Sequence, residues 1–385
     1  MKSEKYKIVF CTPAIYSAGG VERVISSKAN YFAEQCGYDV TIIVTEGHGG
    51  VSFFPLSSMV KVVNLSLDFE DLWGKPFFCK VYLYLKKQYK YKIALTKFLK
   101  DVHPDIVIST LRREVNFING IHDGSVKIGE LHLSRISYRG QIESTSILGK
   151  WFFYWWRKDV VKQFRKFDKF VVLTEDAVAE WPELNNVVII PDPLTINVVR
   201  YSKLEKKRVL VIGRYSYEKG YDLLLRIWSI VEKRLNDWSL DIYGMGDPTP
   251  YVKMMTQLEL DESRCRMNTS LSDVSREFLN SSILVQPSRF ESFGMVAIEA
   301  MAFGLPIVSF DCDNGPRSII TNGKNGFLVP QYNIQLFANR IIELAEDEQM
   351  RIKMGNAGKE KSEQYKIDKI SMLWKNLFDE LMQER

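Results

Sequence analysis

The 385-residue chain has no apolar run near the ~18–20 residues that a membrane-spanning helix needs. A short apolar run near the N-terminus stops at Pro13 and a charged amphipathic segment follows, so we do not expect a secretory signal peptide. The cysteines are few, scattered and without a C-x-x-C pair: Cys11, Cys36, Cys79, Cys265 and Cys312. No disulfide framework follows from this spacing, which favours a reducing cytoplasm.

The glycine fingerprint of dinucleotide-binding proteins, G-x-G-x-x-G, is also missing. Gly244 and Gly246 in IYGMG form a G-x-G pair, but no third glycine follows at the required spacing. This absence counts against an NAD- or FAD-dependent enzyme.

The remaining composition is that of an ordinary globular protein, with 46% hydrophobic and 26% charged residues. The length exceeds the ~250–300 residues at which single cores usually split, so we expect two domains. The net charge of +5 is unevenly spread: residues 1–193 have 26 Lys and Arg against 21 Asp and Glu, and the rest of the chain has 26 against 26. The first half is therefore expected to meet something anionic.

Short β-rich runs alternate with helical patterns through most of the chain, which predicts an α/β fold with parallel, doubly wound sheets. The strands predicted in the first half are KIVFCTP, DVTIIVTEG, VKVVNLSL, DIVIST, VKIGELH, FVVLTE and NVVIIP. After a proline-containing connector the pattern restarts with RVLVIGRY, SLDIYGMG, RCRMNTS, SILVQPS and PIVSFD. Beyond Pro330 the chain is predicted to be helical.

Two Rossmann-like domains are the simplest architecture for this pattern. We expect an N-terminal domain over 1–193, joined by a final amphipathic helix at about 366–385 that crosses back to it, and a C-terminal domain over 194–365. Because ligands bind at the carboxyl ends of strands in open α/β sheets, two such halves predict a cleft between them.

Several loops after predicted strands carry residues suited to an anionic ligand. Gly213, Arg214 and Lys219 follow one strand and precede a helix, where two cations suit a diphosphate. The alternative is a surface loop whose cations are merely solvated. Gly19 and Gly20 after the first strand would let backbone amides approach a ligand, or would simply form a tight turn.

The stretch RFESFGMVAIEAM carries two carboxylates eight positions apart, Glu291 and Glu299. At ~100° per residue they would lie roughly 80° apart on one helix, and Gly294 between them disfavours a helix interior. We therefore expect a helix that begins near Ser292–Gly294, with Glu291 in the loop before it and Glu299 inside it.

The ordered set of these motifs resembles the retaining glycosyltransferases of family 4, which have the GT-B fold. ESFGMVAIEAMAFGLPIVSFD is similar to the E-x7-E region of that family, and GRYSYEKG to its G-R-x4-K-G element. IYGMG resembles its glycine-rich strand end, GGVERV its N-terminal glycine loop, and DNGPRSIITNGKNGFLVP the segment after the E-x7-E helix. The resemblance covers residues from about 8 to 330 in the family's order.

The resemblance implies a role for each matching residue. Arg214 and Lys219 would bind the donor diphosphate and stabilise it as a leaving group. Glu299 would hold the ribose hydroxyls, and Glu291 would face the donor sugar with the amides of Phe293, Gly294 and Met295. Further donor contacts would come from Gly19, Gly20, Gly213 and Gly244. His132, in GELHLSR, matches a histidine often found near the sugar; its alternative is a buried histidine at a strand end.

The family resemblance further implies a metal-independent hexosyltransferase without a cofactor, which uses a nucleotide sugar, expected to be a UDP-sugar, and a lipid-linked or saccharide acceptor. Asp311-Cys312-Asp313 spells D-x-D, the metal signature of a different glycosyltransferase fold, and we interpret it as a chance match. The alternatives are another GT-B enzyme, such as an epimerase or an inverting transferase, and a nucleotide-sugar-binding protein without catalysis.

Two basic, aromatic stretches lie in the first half. WFFYWWRKDVVKQFRKFDKF places a core-facing set on one side of a helix, namely Phe153, Trp156, Val160, Phe164 and Phe167, and a cationic set on the other. Residues 75–100 carry eight lysines and no acid. Either stretch alone could be an ordinary solvated helix. Together, 75–100 and 151–169 predict peripheral contact with anionic lipid on the inner face of the cell membrane. No nucleic-acid motif is present.

Overall fold

The computed structural model describes residues 5–47, 50–135, 138, 159–271, 273–312 and 314–385. The chain divides into two compact units. Unit 1 comprises Met1–Leu173, Ala177–Pro193 and Ile367–Arg385, and unit 2 comprises Thr174–Asp176 and Leu194–Lys366. Among the described residues, no helix combines the length and apolar character needed to span a membrane.

Unit 1 contains a seven-stranded parallel sheet with the order β3-β2-β1-β4-β5-β6-β7. Its strands are β1 (Lys7–Thr12), β2 (Asp39–Val44), β3 (Lys61–Asn64), β4 (Ile106–Ser109), β5 (Val126–Glu130), β6 (Lys169–Val172) and β7 (Val187–Ile189). The central strands are nearly continuous runs of buried residues, as expected for a parallel sheet that is covered on both faces.

Helices cover this sheet and supply much of the core. In the part of the chain that the structure describes, they are α1 (Gly20–Glu34), α2 (Phe77–Val102) and α11 (Ile367–Gln383), and a short α3 (Glu175–Ala179) follows β6. α11 packs on α1, where the rings of Phe32 and Phe378 lie 5.6 Å apart between centroids. The buried residues of α11 recur at helical spacing, from Ile370 to Trp374, Leu377 and Leu381, so one full face of this helix belongs to the core of unit 1.

Unit 2 contains a six-stranded parallel sheet with the order β10-β9-β8-β11-β12-β13. Its strands are β8 (Arg208–Ile212), β9 (Ser239–Gly244), β10 (Cys265–Thr269), β11 (Ile283–Gln286), β12 (Ile307–Asp311) and β13 (Gly326–Pro330). Its helices are α4 (Tyr221–Arg234), α5 (Thr249–Gln257), α6 (Ser275–Leu279), α7 (Met295–Ala302), α8 (Gly315–Ile319), α9 (Ile334–Glu346) and α10 (Glu348–Ser362). The strand order reverses between β8 and β11, which makes their carboxyl ends the expected ligand position.

The strands predicted from sequence are present in both units, and the chain beyond Pro330 is helical as predicted. Among the described residues, one strand was not predicted. β13 pairs with β12, from Ile307 opposite Gly326 to Asp311 opposite Pro330, and forms an edge of the sheet. Its sequence, GFLVP, is bounded by glycine and proline, which made it resemble a loop.

Candidate active site

The loop after β8 is held at the carboxyl end of the unit 2 sheet. The amide of Gly213 donates to the carbonyl of Tyr243 at 3.0 Å, and the amide of Tyr215 donates to that of Met245 at 2.8 Å. A Cβ on Gly244 would lie 2.3 Å from the carbonyl oxygen of Gly213, so the ends of β8 and β9 need glycine to approach this closely. Backbone packing is thus one reason for Gly244 in the IYGMG motif.

A short 3-10 turn, Tyr217–Lys219, carries the predicted phosphate-binding lysine. It ends at Gly220, which has a φ of +66°. A Cβ on Gly220 would lie 2.1 Å from the carbonyl oxygen of Pro287, directly after β11. The turn is therefore pressed against the end of the neighbouring central strand, and only glycine fits there.

Lys219 and Glu291 meet at this position although they are 72 residues apart in the chain. The Nζ of Lys219 lies 2.6 Å from Oε1 of Glu291, and the two side chains are 21% and 13% exposed. Arg214 is exposed in the same loop. The hydroxyl of Ser216 lowers the pKa of Glu218, and the charges of Arg214 and Lys219 lower it further.

The second predicted carboxylate lies in α7, which begins at Met295 after Gly294 with a φ of +104°. The predicted placement is confirmed, because Glu291 lies in the loop before α7 and Glu299 lies within it. Phe293 and Glu299 are buried, and Glu299 is only 1% exposed. The first helical hydrogen bonds run from the amides of Ala297 and Ile298 to the carbonyl of Gly294.

Sequence reasoning missed Arg289, two positions before Glu291. Its guanidinium makes a bidentate ion pair with Asp222 of α4, at 2.8 and 2.7 Å, and donates to the carbonyl of Tyr217 at 2.9 Å. Its amide donates to the carbonyl of Glu218 at 2.7 Å. Arg289 thereby ties the Lys219 turn to the Glu291 loop, and its hydrogen bonds lower the pKa of Asp222. The available signal was a cation three positions after the end of a buried strand.

In unit 1, the predicted glycine loop lies at the start of α1. Gly19 is the N-cap residue and Gly20 begins the helix. Space is open around Gly20, since a Cβ there would have no neighbour within 4 Å. The carboxylate of Glu22, by contrast, occupies the space beside Gly19 and accepts a hydrogen bond from Ser17 at 2.7 Å. This negative charge at the helix N-terminus would disfavour a phosphate at Gly19.

His132 follows β5 in a buried cluster of charges. Its Nε2 lies 3.4 Å from Oε1 of Glu130, and its Nδ1 lies 3.3 Å from Oδ1 of Asp192. Burial alone would lower the pKa of His132, but the two carboxylates outweigh burial and raise this pKa to about 9. The imidazolium form is therefore favoured, and both ring nitrogens face carboxylates.

Lys28 completes the cluster from α1. Its buried ammonium binds Oε1 of Glu130 and lies 4.4 Å from the ring centroid of Trp374 in α11. Glu130, His132 and Asp192 are residue types that bind divalent metals, and their ligand atoms lie within 4.8 Å of one another. The cation of Lys28 already contacts the central carboxylate, so repulsion between like charges opposes a metal ion there.

The first aspartate of the D-x-D sequence pairs with a nearby arginine. Asp311, at the end of β12, forms an ion pair with Arg317 of α8. Asp313 lies outside the described residues.

The basic stretch 151–169 is described only from 159 onward. There, Val160, Phe164 and Phe167 are buried as predicted for the core-facing side. Phe153 and Trp156 lie outside the described residues.

Comparison with solved structures defines the fold. The chain resembles the crystal structure of a point mutant of Staphylococcus aureus TarM in complex with Fondaparinux, alpha-GlcNAc-glycerol and UDP, with a TM-score of 0.78 and 17% identity. The match covers 97% of this chain and 99% of that one. The two parallel sheets and this likeness confirm the predicted GT-B fold.

Sequence comparison then gives the family. Residues 197–361 match the model of the family "Glycosyl transferases group 1". An uncharacterized glycosyltransferase of Haemophilus influenzae is 30% identical over 96% of this chain and 99% of its own length. The amylovoran biosynthesis glycosyltransferase AmsD of Erwinia amylovora is 25% identical over 97% of this chain and 100% of its own length. The chain belongs to the group 1 glycosyltransferases.

Proposed function

We propose that the protein is a retaining, family 4 glycosyltransferase that moves a sugar from a UDP-sugar to a lipid-linked or saccharide acceptor in surface-glycan biosynthesis. The observation that carries this proposal is the 2.6 Å contact of Lys219 with Glu291 at the reversal of strand order between β8 and β11. AmsD is an amylovoran biosynthesis glycosyltransferase, which supports the biosynthetic role, and the TarM structure contains UDP, which supports the donor nucleotide.

The proposed chemistry follows from the charges of this site. Transfer breaks the bond between the anomeric carbon and the diphosphate oxygen, and negative charge builds on the phosphate that leaves. A cation fixed beside that oxygen stabilises the transition state more than the ground state, which is the role we assign to Lys219 and to Arg214 of the same loop. Glu291 is assigned to the sugar and Glu299 to the ribose; no metal is required.

Replacement of Lys219 tests the proposal. We expect Lys219→Ala to lower kcat/KM for transfer by roughly 10²–10³-fold, as loss of a charge-stabilising donor does. Lys207→Ala is a matched control, because Lys207 also pairs with a carboxylate, that of Asp237, but at the surface and away from this loop. Transfer by Lys219→Ala at the wild-type rate would refute the assignment.

The donor nucleotide can be identified by a thermal-shift screen of UDP-, GDP- and ADP-sugars. A ligand at 100-fold its Kd stabilises the folded state by ~2.7 kcal/mol. We expect the UDP-sugar to raise Tm most. If a GDP- or ADP-sugar does so instead, the proposed nucleotide is wrong and the transferase assignment stands.

Three further assays separate the alternatives. The anomeric configuration of the product, read by NMR, distinguishes retention from inversion. Activity in excess EDTA tests metal independence. If the protein binds the donor but neither transfers its sugar to any acceptor tried nor hydrolyses it, a non-catalytic binding protein is favoured. If the protein converts the donor sugar into another sugar without transfer, an epimerase is favoured.

The acceptor side of the proposal includes the membrane. We propose that the protein is cytoplasmic and peripheral on the inner face of the cell membrane, with contact through 75–100 and 151–169. The support is the charge excess in residues 1–193 and the eight lysines of 75–100. Flotation with anionic liposomes at low salt tests this contact, and the absence of binding would overturn it.

A further inference from the structure

Helix α2 has an apolar surface in addition to the one that packs on unit 1. The packed side holds Tyr91, Leu95 and Leu99, which are fully buried, with Leu83 and Tyr84 half-buried against the same core. These residues account for the ordinary amphipathic character of the helix. Tyr91, Leu95 and Leu99 lie in its C-terminal half, and Leu83 and Tyr84 lie before its midpoint.

The first six residues of α2 and the segment just before them are different. Every residue from Trp73 to Tyr82 is exposed. Six apolar residues at and beyond this end have large exposed areas: Phe77, Phe78, Val81, Tyr82, Leu85 and Tyr89. At ~100° per residue these six fall within about 140° of one another, and we call them the α2 apolar face. Phe78 is 86% exposed and Phe77 72%, which is unusual for a continuous patch on a soluble domain.

Lysines border this face. On the helical wheel, Lys86 and Lys90 lie beside one edge of the α2 apolar face, and both are exposed. Lys75, just before the helix, and Lys80, in its first turns, are also exposed. Residues 75–100 contain no acid, so no carboxylate of the same segment neutralises them. Lys87, in contrast, is directed to unit 1, where it donates to the carbonyl of Leu67 at 2.6 Å.

We propose that the α2 apolar face inserts into the headgroup region of an anionic lipid bilayer, with Trp73 at the same end and the exposed lysines at the lipid phosphates. Aromatic side chains flanked by lysines are the composition that a membrane interface selects. A second copy of the chain fits less well, because the lysine rows of two facing helices would repel each other. The inference rests on the proposed membrane contact and assigns it to one surface.

The first test uses a thiol already in place. Cys79 is exposed in α2, Cys11, Cys265 and Cys312 are buried, and Cys36 is half-buried. In a Cys36→Ser background, a thiol-reactive, environment-sensitive dye should therefore label Cys79. We expect its emission to shift to the blue with vesicles of phosphatidylcholine and phosphatidylglycerol, and to stay unchanged with phosphatidylcholine alone. No shift with the anionic vesicles would overturn the proposal.

Flotation of two double variants of α2, each with a matched double variant elsewhere as control, then assigns the contact. Phe77→Ser with Phe78→Ser should weaken vesicle binding at least about tenfold, since the bilayer no longer buries the apolar area of two aromatic rings. Met372→Ser with Leu373→Ser, two exposed apolar residues of α11, is the matched control and should bind as wild type. Lys86→Gln with Lys90→Gln should weaken binding roughly tenfold or more, whereas the exposed pair Lys203→Gln with Lys206→Gln should not.

The outcomes separate this inference from the broader membrane proposal. If wild type binds anionic vesicles and the α2 variants bind equally well, the contact lies elsewhere and the α2 assignment is wrong. If the wild type binds no vesicles, both proposals fail. If sedimentation shows a wild-type dimer that Phe77→Ser with Phe78→Ser converts to monomer, without vesicle binding, the face is an interface between copies.

Discussion

Glu291 and Lys219 form an ion pair, although we assign each to a different part of the donor. A diphosphate that binds Lys219 must compete with the carboxylate at 2.6 Å from its Nζ. The carboxylate therefore has two effects of opposite sign. It orients the lysine before the donor arrives, and it reduces the positive charge that the phosphates meet.

We expect Glu291→Gln to bind UDP more tightly than wild type, by roughly threefold, because a partly exposed ion pair is worth about 0.2–1 kcal/mol. Transfer should nevertheless be slower, since the variant lacks the carboxylate that we propose for the sugar. Calorimetric titration with UDP and initial rates at saturating donor measure the two effects. Weaker UDP binding by the variant would show that orientation of Lys219 outweighs charge competition.

The imidazole of His132 makes stability depend on pH. Its pKa is raised to about 9, so the folded protein holds this proton more tightly than the unfolded chain, where the pKa is ~6.5. The resulting stabilisation is complete below the unfolded value and is lost as the pH rises through about 9.

We expect the free energy of unfolding in urea to fall by roughly 1–3 kcal/mol between about pH 6.5 and about 9. His132→Gln should remove most of this slope, and His122→Gln, at an exposed histidine, should retain it. An unchanged slope in His132→Gln would mean that another group titrates in this range.

At the scale of an element, the Lys219 turn depends on one glycine. Gly220 combines a positive φ with contact to the carbonyl of Pro287, whereas Gly323 has a positive φ of +76° and open space around it. Comparison of the two positions separates backbone strain from the steric contact.

We expect Gly323→Ala to cost about 1–2 kcal/mol of stability, the penalty of the left-handed conformation alone. Gly220→Ala should cost more, and should also lower transfer activity because the turn that carries Lys219 must move away from Pro287. Urea unfolding and initial rates measure both. Equal costs for the two variants, with full activity in Gly220→Ala, would contradict the close packing of this turn.

Elements in which apolar residues recur at a clear helical or strand spacing were predictable from the sequence. Contacts between residues distant in the chain were not. The alternation of strands and helices, the helix after Gly294 and the core side of 159–167 all follow from local pattern. β13 has five residues and no period that separates it from a loop. The Arg289–Asp222 and Lys219–Glu291 pairs join segments 67 and 72 residues apart, so no window of sequence contains them.

At the scale of the molecule, α11 completes a core whose other residues come mainly from α1 and from strands spread between Lys7 and Ile189. Phe378 is fully buried against Phe32, and Trp374 lies over the ammonium of Lys28. A lysine in the middle of an amphipathic helix is normally read as exposed, which is why sequence alone does not reveal the burial of Lys28.

We expect Phe378→Ala to destabilise unit 1 by ~3–5 kcal/mol, as loss of a buried aromatic ring does. Met372→Ala, on the exposed side of the same helix, should change stability by less than about 0.5 kcal/mol. Hydrogen exchange locates the effect, with faster exchange in the strands of unit 1 and unchanged exchange in those of unit 2. Equal acceleration in both units would indicate that they unfold together.

The order of the two units along the chain has a consequence for how the protein folds during translation. Unit 2 is almost continuous in sequence, whereas unit 1 lacks α11 until Leu194–Lys366 has been translated. The ribosome therefore releases all of unit 2 before the apolar surface left by α1 and the adjacent strands can be covered. During that interval, unit 1 presents the surface that chaperones bind, and premature termination after Lys366 would leave it uncovered permanently.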